Sequence, residues 1–278
     1  MYESAVASFE NCRLYYNPLN IWPGPLSDSQ FHCLFRKKMN YKASTAKSYI
    51  SGLSFKMKVM AIQDTTKSFI ITKMLSGMER KHKRVNAGKP ITFEILEKII
   101  NVLLHVCNSY YEATLFAACF SVAIFGFLRE GEFALSQNSE RHMLRIEDIS
   151  LEFGGETVIL NIPSSKTDQL ANTTKLVINS CNNRVICPVK NMINYLNARP
   201  KVQGALFCHL NHKYLTRYQV VSVLKNALTF LKLNPNDFNT HSFRIGAATS
   251  FSVLGKSDDE IKKLGRWKSS AFSNYIRI

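Results

Sequence analysis

The chain has 278 residues, of which 46% are hydrophobic and 20% charged, enough to bury the core of one large domain or two smaller ones. Its longest apolar run, from Leu115 to Leu128, is too short to span a bilayer, and no secretory signal opens the sequence. The net charge of +16 favours a polyanionic partner, most often nucleic acid, over an anionic membrane surface.

Residues 27–85 are predicted to form short helices after an N-terminal extension, residues 1–26. Helix-start residues precede apolar residues at helical spacing at Ser27–Ser29, at Ser44–Thr45 and at Thr65–Thr66. Basic side chains between the apolar ones predict a surface that binds a phosphate backbone. The residues predicted to contact DNA are Lys42, Lys47, Lys56, Lys81, Lys83 and Arg84.

A charged segment from Glu79 to Pro90 has almost no apolar content and ends in Gly and Pro, which predicts a linker between two domains. The first domain would span residues 27–85 and the second residues 86–278. A basic linker between two basic domains indicates two lobes that close round a duplex.

The second domain is predicted to be helical with a small inserted sheet, so the fold class is mainly α with a small β-sheet (α+β). Thr92 caps a helix through His105, and residues 111–128 form an apolar helix at the centre of the core. Short β-branched runs predict strands at residues 146–149, 157–162 and 175–178, with a turn at Gly154–Gly155. Helices are then predicted at residues 188–198, 216–231, 241–254, 258–264 and 269–276.

The cysteines and the missing signatures limit the chemistry. Cys181, Cys187 and Cys208 lie near His209 and His212, but the spacing fits no compact zinc finger, and no metal site is predicted. Reduced thiols indicate an intracellular protein. There is no GxxxxGK[ST], HExxH or GxSxG motif, and acidic residues do not cluster as a two-metal nuclease requires.

Phosphoryl transfer without a metal needs fixed arginine donors, together with a nucleophile and a general acid in line across phosphorus. Arg129 ends the apolar helix, and Glu132 lies three residues on, where its carboxylate can hold the guanidinium. Lys166 lies between two predicted strands, where a flexible amine can donate a proton.

Two further motifs lie near the end of the chain. His241 and Arg244 share a face at the start of a predicted helix, where anions are favoured. The run Leu-Gly-Arg-Trp-Lys-Ser follows, with Gly265 closing a helix, and Tyr275 lies near the end of the next one. Each motif alone is common in ion pairs and cores, whereas the four together and in this order are not.

In this order the motifs Arg-x-x-Glu, Lys in a β-hairpin, His-x-x-Arg, Leu-Gly-x and Tyr resemble the tyrosine recombinases (phage-integrase superfamily) over about residues 27–278. Ser-Lys-Thr-Asp-Gln and Leu-Gly-Arg-Trp-Lys-Ser look most like recombinases of eukaryotic mobile elements of the Crypton and DIRS type. The resemblance implies a helical core-binding (SAM-like) DNA-binding domain at residues 27–85 and a catalytic domain at residues 86–278.

The resemblance also implies a role for each matching residue. Arg129 and Arg244 would clamp the scissile phosphate, and Tyr275 would attack it to form a 3′-phosphotyrosyl link. Lys166 would protonate the leaving 5′ oxygen, and His241 would assist proton transfer at the tyrosine. The bond energy stays in the link, so strand exchange would need neither ATP nor a metal or other cofactor.

Two features depart from the family pattern. Many members carry His or Trp directly after the Gly, nine residues before the tyrosine; here Arg266 holds that position and Trp267 follows, so either is predicted to donate to the phosphate. Glu132 would support the clamp. Only three residues follow Tyr275, whereas relatives often join subunits through a C-terminal tail helix.

The predicted function is site-specific recombination or integration by a homo-tetramer on double-stranded DNA, in the nucleus if the host is eukaryotic. No membrane and no small-molecule substrate is predicted. The alternatives are a catalytically silent DNA-binding protein derived from a mobile-element recombinase, and a type IB-like topoisomerase. A phosphotyrosyl adduct separates the enzymes from the binder, and synapsis of two duplexes separates a recombinase from a topoisomerase.

Overall fold

The computed structural model describes residues 43–81, 88–135, 142–163 and 173–277. The chain divides into two compact units, Met1–Asn86 and Ala87–Ile278. The division falls within the charged segment, residues 79–90, that was predicted as a linker. The predicted N-terminal extension and the helix start at Ser27–Ser29 lie outside the described residues.

In the first unit, helix α1 (Ala43–Val59) is followed by a 3₁₀ turn (Thr65–Lys67) and helix α2 (Phe69–Lys81). The side chain of Asp64 caps the turn by accepting hydrogen bonds from Thr66 and, at 2.6 Å, from the Ser54 hydroxyl. Thr65–Thr66 therefore lies in a 3₁₀ turn shortly before α2, and α2 carries the apolar residues predicted at helical spacing. The linker prediction is wrong for its first residues, because α2 continues through Lys81.

The second unit opens with helix α3 (Phe93–Val106) and helix α4 (Tyr110–Phe125). Thr92 caps α3 as predicted, its hydroxyl accepting from the backbone of Ile95. Helix α4 is buried around most of its circumference and forms the centre of the core, as expected. It ends at Phe125, three residues before the predicted end, because Gly126 caps it and Phe127 takes a left-handed backbone conformation.

A short helix α5 (Glu130–Phe133) precedes a three-stranded antiparallel sheet in the order β1 (Ile149–Glu152), β2 (Thr157–Ile162) and β3 (Thr174–Asn179). The strand predicted at 146–149 is wrong for its first three residues, which form a 3₁₀ turn; the Asp148 carboxylate accepts from the Arg145 backbone and starts that turn. The strand β2 was predicted correctly and is buried on both faces.

The remaining helices are α6 (Pro188–Ala198), α7 (Arg217–Phe230), α8 (His241–Val253) and α9 (Asp258–Leu264), with a 3₁₀ helix at Ser270–Tyr275 where an α-helix was expected. Helix α4 packs against α3, α6 and α8. The backbone of Ile91, shortly before α3, approaches α8 so closely that Gly246 is required, because a Cβ there would overlap the carbonyl oxygen of Ile91. Within the described ranges, every helix is too short or too polar to cross a membrane.

Candidate active site

Glu132 on helix α5 holds two arginine side chains together. Its side chain is only 2% exposed, and its two oxygens accept from Nη1 and Nη2 of Arg266 at 2.9 and 2.8 Å. The same carboxylate accepts from the backbone of Arg129 at 2.8 Å and from its Nη1 at 3.3 Å. Residues 129 and 266 are far apart in sequence, so this buried carboxylate joins the start of α5 to the end of α9.

Phe127 and Arg266 both take left-handed backbone conformations, with φ of 47° and 55°. Such conformations cost about 1–3 kcal/mol for a side chain other than glycine and persist where the surroundings enforce them. The carbonyl oxygen of Phe127 accepts from Nη1 of Arg244 at 2.5 Å and from Nη2 of Arg266 at 3.1 Å. The unusual turn after α4 thus gives two arginines a shared acceptor.

Arg244 projects from helix α8 and is 3% exposed. Its guanidinium donates to the carbonyl oxygens of Phe127 and Gly265, which carry no net charge. Burial, reinforced by the positive charges of Arg129 and Arg266, lowers the pKa of Arg244 to about 9. The guanidinium still carries its proton at neutral pH, and an anion bound beside it would offset the repulsion within the cluster.

Aromatic rings cover one side of Arg244. Its Cζ atom lies 4.4 Å from the ring centroid of Trp267 and 5.9 Å from that of Tyr275. The centroid of Tyr275 lies 4.9 Å from those of both Trp267 and His241. Gly265 permits the indole to fold back, because a Cβ at that position would overlap the ring of Trp267.

His241 begins helix α8 and remains exposed to solvent beside Tyr275. Its backbone amide donates to the side-chain oxygen of Asn239 at 2.8 Å, and this hydrogen bond caps the helix. The pKa of His241 is lowered because the surrounding protein partly desolvates the ring and because Arg244 and Arg277 are positively charged. A lowered pKa favours the neutral imidazole, the form that can accept a proton.

The structure brings together seven of the residues that the sequence singled out. Arg266 lies among hydrogen-bond acceptors of the protein itself, with its Nε buried and unpartnered within the described structure, whereas Trp267 contacts both Arg244 and Tyr275. The seven are Arg129, Glu132, His241, Arg244, Arg266, Trp267 and Tyr275.

The other predicted residues are placed less fully. Lys166, Lys42, Lys83 and Arg84 lie outside the described residues, as does the side chain of Lys81. In the first unit, Lys47 pairs with Glu79 at 2.6 Å, and Lys56 lies half-buried in the last turn of α1. Whether these lysines contact DNA stays a prediction.

Sequence reasoning missed Glu130 and Thr240, which lie beside Arg129 and His241. The Thr240 hydroxyl donates to the Glu130 carboxylate, and this contact joins α5 to the start of α8. The only available signal was adjacency, because Glu130 directly follows an arginine already implicated and Thr240 directly precedes the histidine.

By sequence, the chain matches no family model and no curated protein. In fold it is similar to the Tn1549 transposon integrase in complex with circular intermediate DNA, with a TM-score of 0.65 and 14% identity over 99% of this chain and 87% of that one. XerH site-specific recombinase bound to its difH substrate aligns with a TM-score of 0.62 and 14% identity, over 90% of this chain and 68% of that one.

The lambda integrase dimer bound to a core site aligns with a TM-score of 0.61 and 16% identity, over 99% of this chain and 70% of that one. The chain therefore has the tyrosine-recombinase fold. The predicted fold class, mainly α with a small sheet, is confirmed.

Proposed function

We propose that this chain is a site-specific DNA recombinase or integrase that cleaves and rejoins strands through a 3′-phosphotyrosyl intermediate. One observation carries the proposal: three guanidinium groups lie together with one buried carboxylate, which bonds Arg129 and Arg266, while the third, Arg244, lies beside Tyr275, whose ring packs on His241. A site with that excess of positive charge suits an anion, and the adjacent phenol supplies a nucleophile. The fold shared with DNA-bound recombinases supports the same conclusion.

In the proposed reaction each group takes the role that the resemblance to tyrosine recombinases implies. The Tyr275 oxygen attacks the scissile phosphorus while the bond to the 5′ oxygen breaks, which leaves a 3′-phosphotyrosyl ester and a free 5′ hydroxyl. His241 takes the phenolic proton, and Lys166 gives a proton to the departing oxygen. Arg129 and Arg244 neutralise the non-bridging oxygens as negative charge builds up. Attack by a 5′ hydroxyl of another strand then reverses the step without ATP.

Many family members carry a phosphate donor, His or Trp, nine residues before the tyrosine. For that role the geometry favours Trp267 over Arg266. Both Nη atoms of Arg266 are already engaged by Glu132. Trp267 instead lies against Arg244 and Tyr275, where its indole can orient both groups and its N–H can donate one hydrogen bond.

The finer assignment rests on sequence motifs. The segments around Lys166 and Trp267 resemble those of Crypton and DIRS recombinases, so we propose a mobile-element enzyme that acts in a eukaryotic nucleus. A tetramer on two duplexes is the assembly that strand exchange between four ends requires. Synapsis of two labelled duplexes by the protein would separate this activity from relaxation by a topoisomerase.

The test is a suicide-substrate assay. Protein is mixed with nicked DNA carrying candidate element ends, in the presence of EDTA, and run on a denaturing gel. The unaltered protein should give a shifted protein–DNA band, Tyr275→Phe should give none while binding DNA equally well, and the control Tyr218→Phe, at a side chain 81% exposed, should keep the band. Binding without any adduct would identify a silent DNA-binding protein instead, and an adduct that persists in Tyr275→Phe would assign the nucleophile elsewhere.

A further inference from the structure

Glu130 connects the two halves of the candidate site, although neither its charge nor its contacts enter the reaction proposed above. It directly follows Arg129 at the start of α5, and its side chain is 20% exposed. One carboxylate oxygen accepts from Nε of Arg217 at 2.9 Å, at the first residue of α7. The other accepts from the hydroxyl of Thr240, directly before helix α8.

The hydroxyl of Thr240 is available for this contact because another residue caps α8. Thr240 already has helical backbone angles, φ −58° and ψ −28°, and makes no side-chain capping bond. Asn239 caps the helix instead, accepting from the backbone of His241 at 2.8 Å. Since Thr240 is only 7% exposed, its hydroxyl needs a partner within the protein, and Glu130 supplies it.

Charged groups reach His241 from α5 and from the segment after the 3₁₀ helix, as well as from its own helix. Arg244 lies on α8, Arg277 follows the 3₁₀ helix, and the ring of Tyr275 packs against the imidazole. Both arginines disfavour the imidazolium, whereas the charge of Glu130 favours it. Arg217 partly neutralises Glu130 but is 56% exposed, so solvent screens its own charge.

We propose that Glu130 is a positioning residue that holds Thr240 against α5 and thereby fixes His241 beside Tyr275. Its consequence for cleavage rests on the proposed function, in which His241 takes the proton of Tyr275. The contact links the loop that carries Arg129 to the helix that carries His241 and Arg244. A single carboxylate would then keep the phosphate clamp and the proton acceptor in register.

Three variants separate position from charge. Glu130→Gln keeps an oxygen that can accept from Thr240 but removes the charge. Thr240→Val keeps the shape and the charge of Glu130 but removes the hydroxyl that joins the elements. The matched control is Glu147→Gln, since Glu147 also pairs with an arginine Nε at 2.9 Å but lies exposed and away from the site.

The first measurement is an NMR titration of labelled histidines in the full chain without DNA, with the His241 signal assigned by its loss in His241→Gln. The His241 midpoint should move to lower pH in Glu130→Gln, because the charge that favours the imidazolium is gone, and should stay in place in Glu147→Gln. The shift reports how near the Glu130 carboxylate lies to the imidazole, so an unmoved midpoint in Glu130→Gln would show that the two are not held together and would overturn the proposal. This titration needs no cleavage, so it gives an answer even if no adduct ever forms.

The second measurement is the single-turnover cleavage rate across pH on the nicked substrate. Thr240→Val should lose at least about 10-fold in rate with unchanged DNA affinity, because displacing a proton acceptor by a fraction of an ångström is enough to slow the step. Glu130→Gln should shift the acid limb to lower pH, as the neutral imidazole persists further. A Thr240→Val rate within about twofold of the unaltered protein would refute the positioning role. Failure of the unaltered protein to cleave would count against the proposed function only.

Discussion

Glu132 is the residue on which the charge balance of the candidate site depends. Its carboxylate is 2% exposed and is the acceptor for two guanidinium groups and one backbone amide. A buried ion pair gains little over an apolar pair, yet removing one partner leaves the other charged and unpaired. The arginines around Glu132 are therefore held in place at a cost to stability that the carboxylate offsets.

We expect Glu132→Gln to lower the free energy of unfolding by about 3–5 kcal/mol, because Arg129 and Arg266 would lose their common counter-charge inside the protein. Chemical denaturation followed by circular dichroism measures the change. Glu94→Gln is the control: Glu94 pairs with Lys98 at 2.6 Å but is 76% exposed, so solvent screens the pair and its loss should change the stability far less. Equal effects of the two substitutions would show that burial of Glu132 contributes nothing.

For individual residues of the site, the sequence indicated which side chains lie together but not which partners each of them bonds. The spacing of Arg129 and Glu132 predicted their contact, since three residues place two side chains on one face of a helix. Counting nine residues back from Tyr275 pointed to Arg266 and left Trp267 as an alternative. Only the left-handed backbone at Arg266 shows why the two side chains diverge, and no local pattern in the sequence predicts that conformation.

At the scale of the helices and strands, the packing of α8 against the start of the second unit sets the position of His241 and Arg244. Gly246 lies two residues beyond Arg244 on the same helix, and the backbone of residue 91 passes directly over it. The backbone amide of Ile91 donates to the carbonyl of Ser242 at 3.0 Å, which fixes this approach. A side chain at residue 246 would push α8 away from the backbone at residue 91, against which the helix packs.

We therefore expect Gly246→Ala to lower the free energy of unfolding by about 2–3 kcal/mol, since overpacking against backbone cannot be relieved by a rotamer change. Gly131→Ala is the control within the same unit: it lies in α5, has open space around it, and should be neutral or slightly stabilising. Thermal denaturation of the two variants measures both effects. A Gly246→Ala protein as stable as the control would mean that the close approach to residue 91 is not maintained in solution.

Helix starts were predicted better than helix ends. The Thr92 hydroxyl accepts its capping bond from a residue only three positions further on, so the local sequence is enough to predict this helix start. The end of α4 depends on Gly126 and on the carbonyl of Phe127 facing two arginines from distant segments. Because apolar residues continue to Leu128, composition alone predicted a helix that runs past Phe125. Residues 146–148 were mistaken for a strand because β-branched content does not reveal a turn capped by the Asp148 side chain.

On the scale of the whole chain, the net charge of +16 is the property that the candidate site alone does not explain. The chain has 36 Lys and Arg, and the three arginines of the site are only a small part of them. Several of the predicted DNA contacts belong to the first unit, where α1 carries Lys47 and Lys56. An excess of this size favours a partner that presents many phosphates along its length.

DNA affinity should therefore fall steeply with salt, because each neutralised phosphate releases a counterion. With about 6–10 phosphates contacted, the association constant should drop roughly 10³- to 10⁵-fold between about 50 and 200 mM salt. Fluorescence anisotropy with a labelled duplex gives the slope, and Tyr275→Phe should follow the same line, since it removes a neutral hydroxyl only. A response equivalent to one or two phosphates would confine binding to the arginine cluster and exclude the first unit from the interface. A steep slope that Lys56→Gln reduces by about one unit would assign that lysine a phosphate contact of its own.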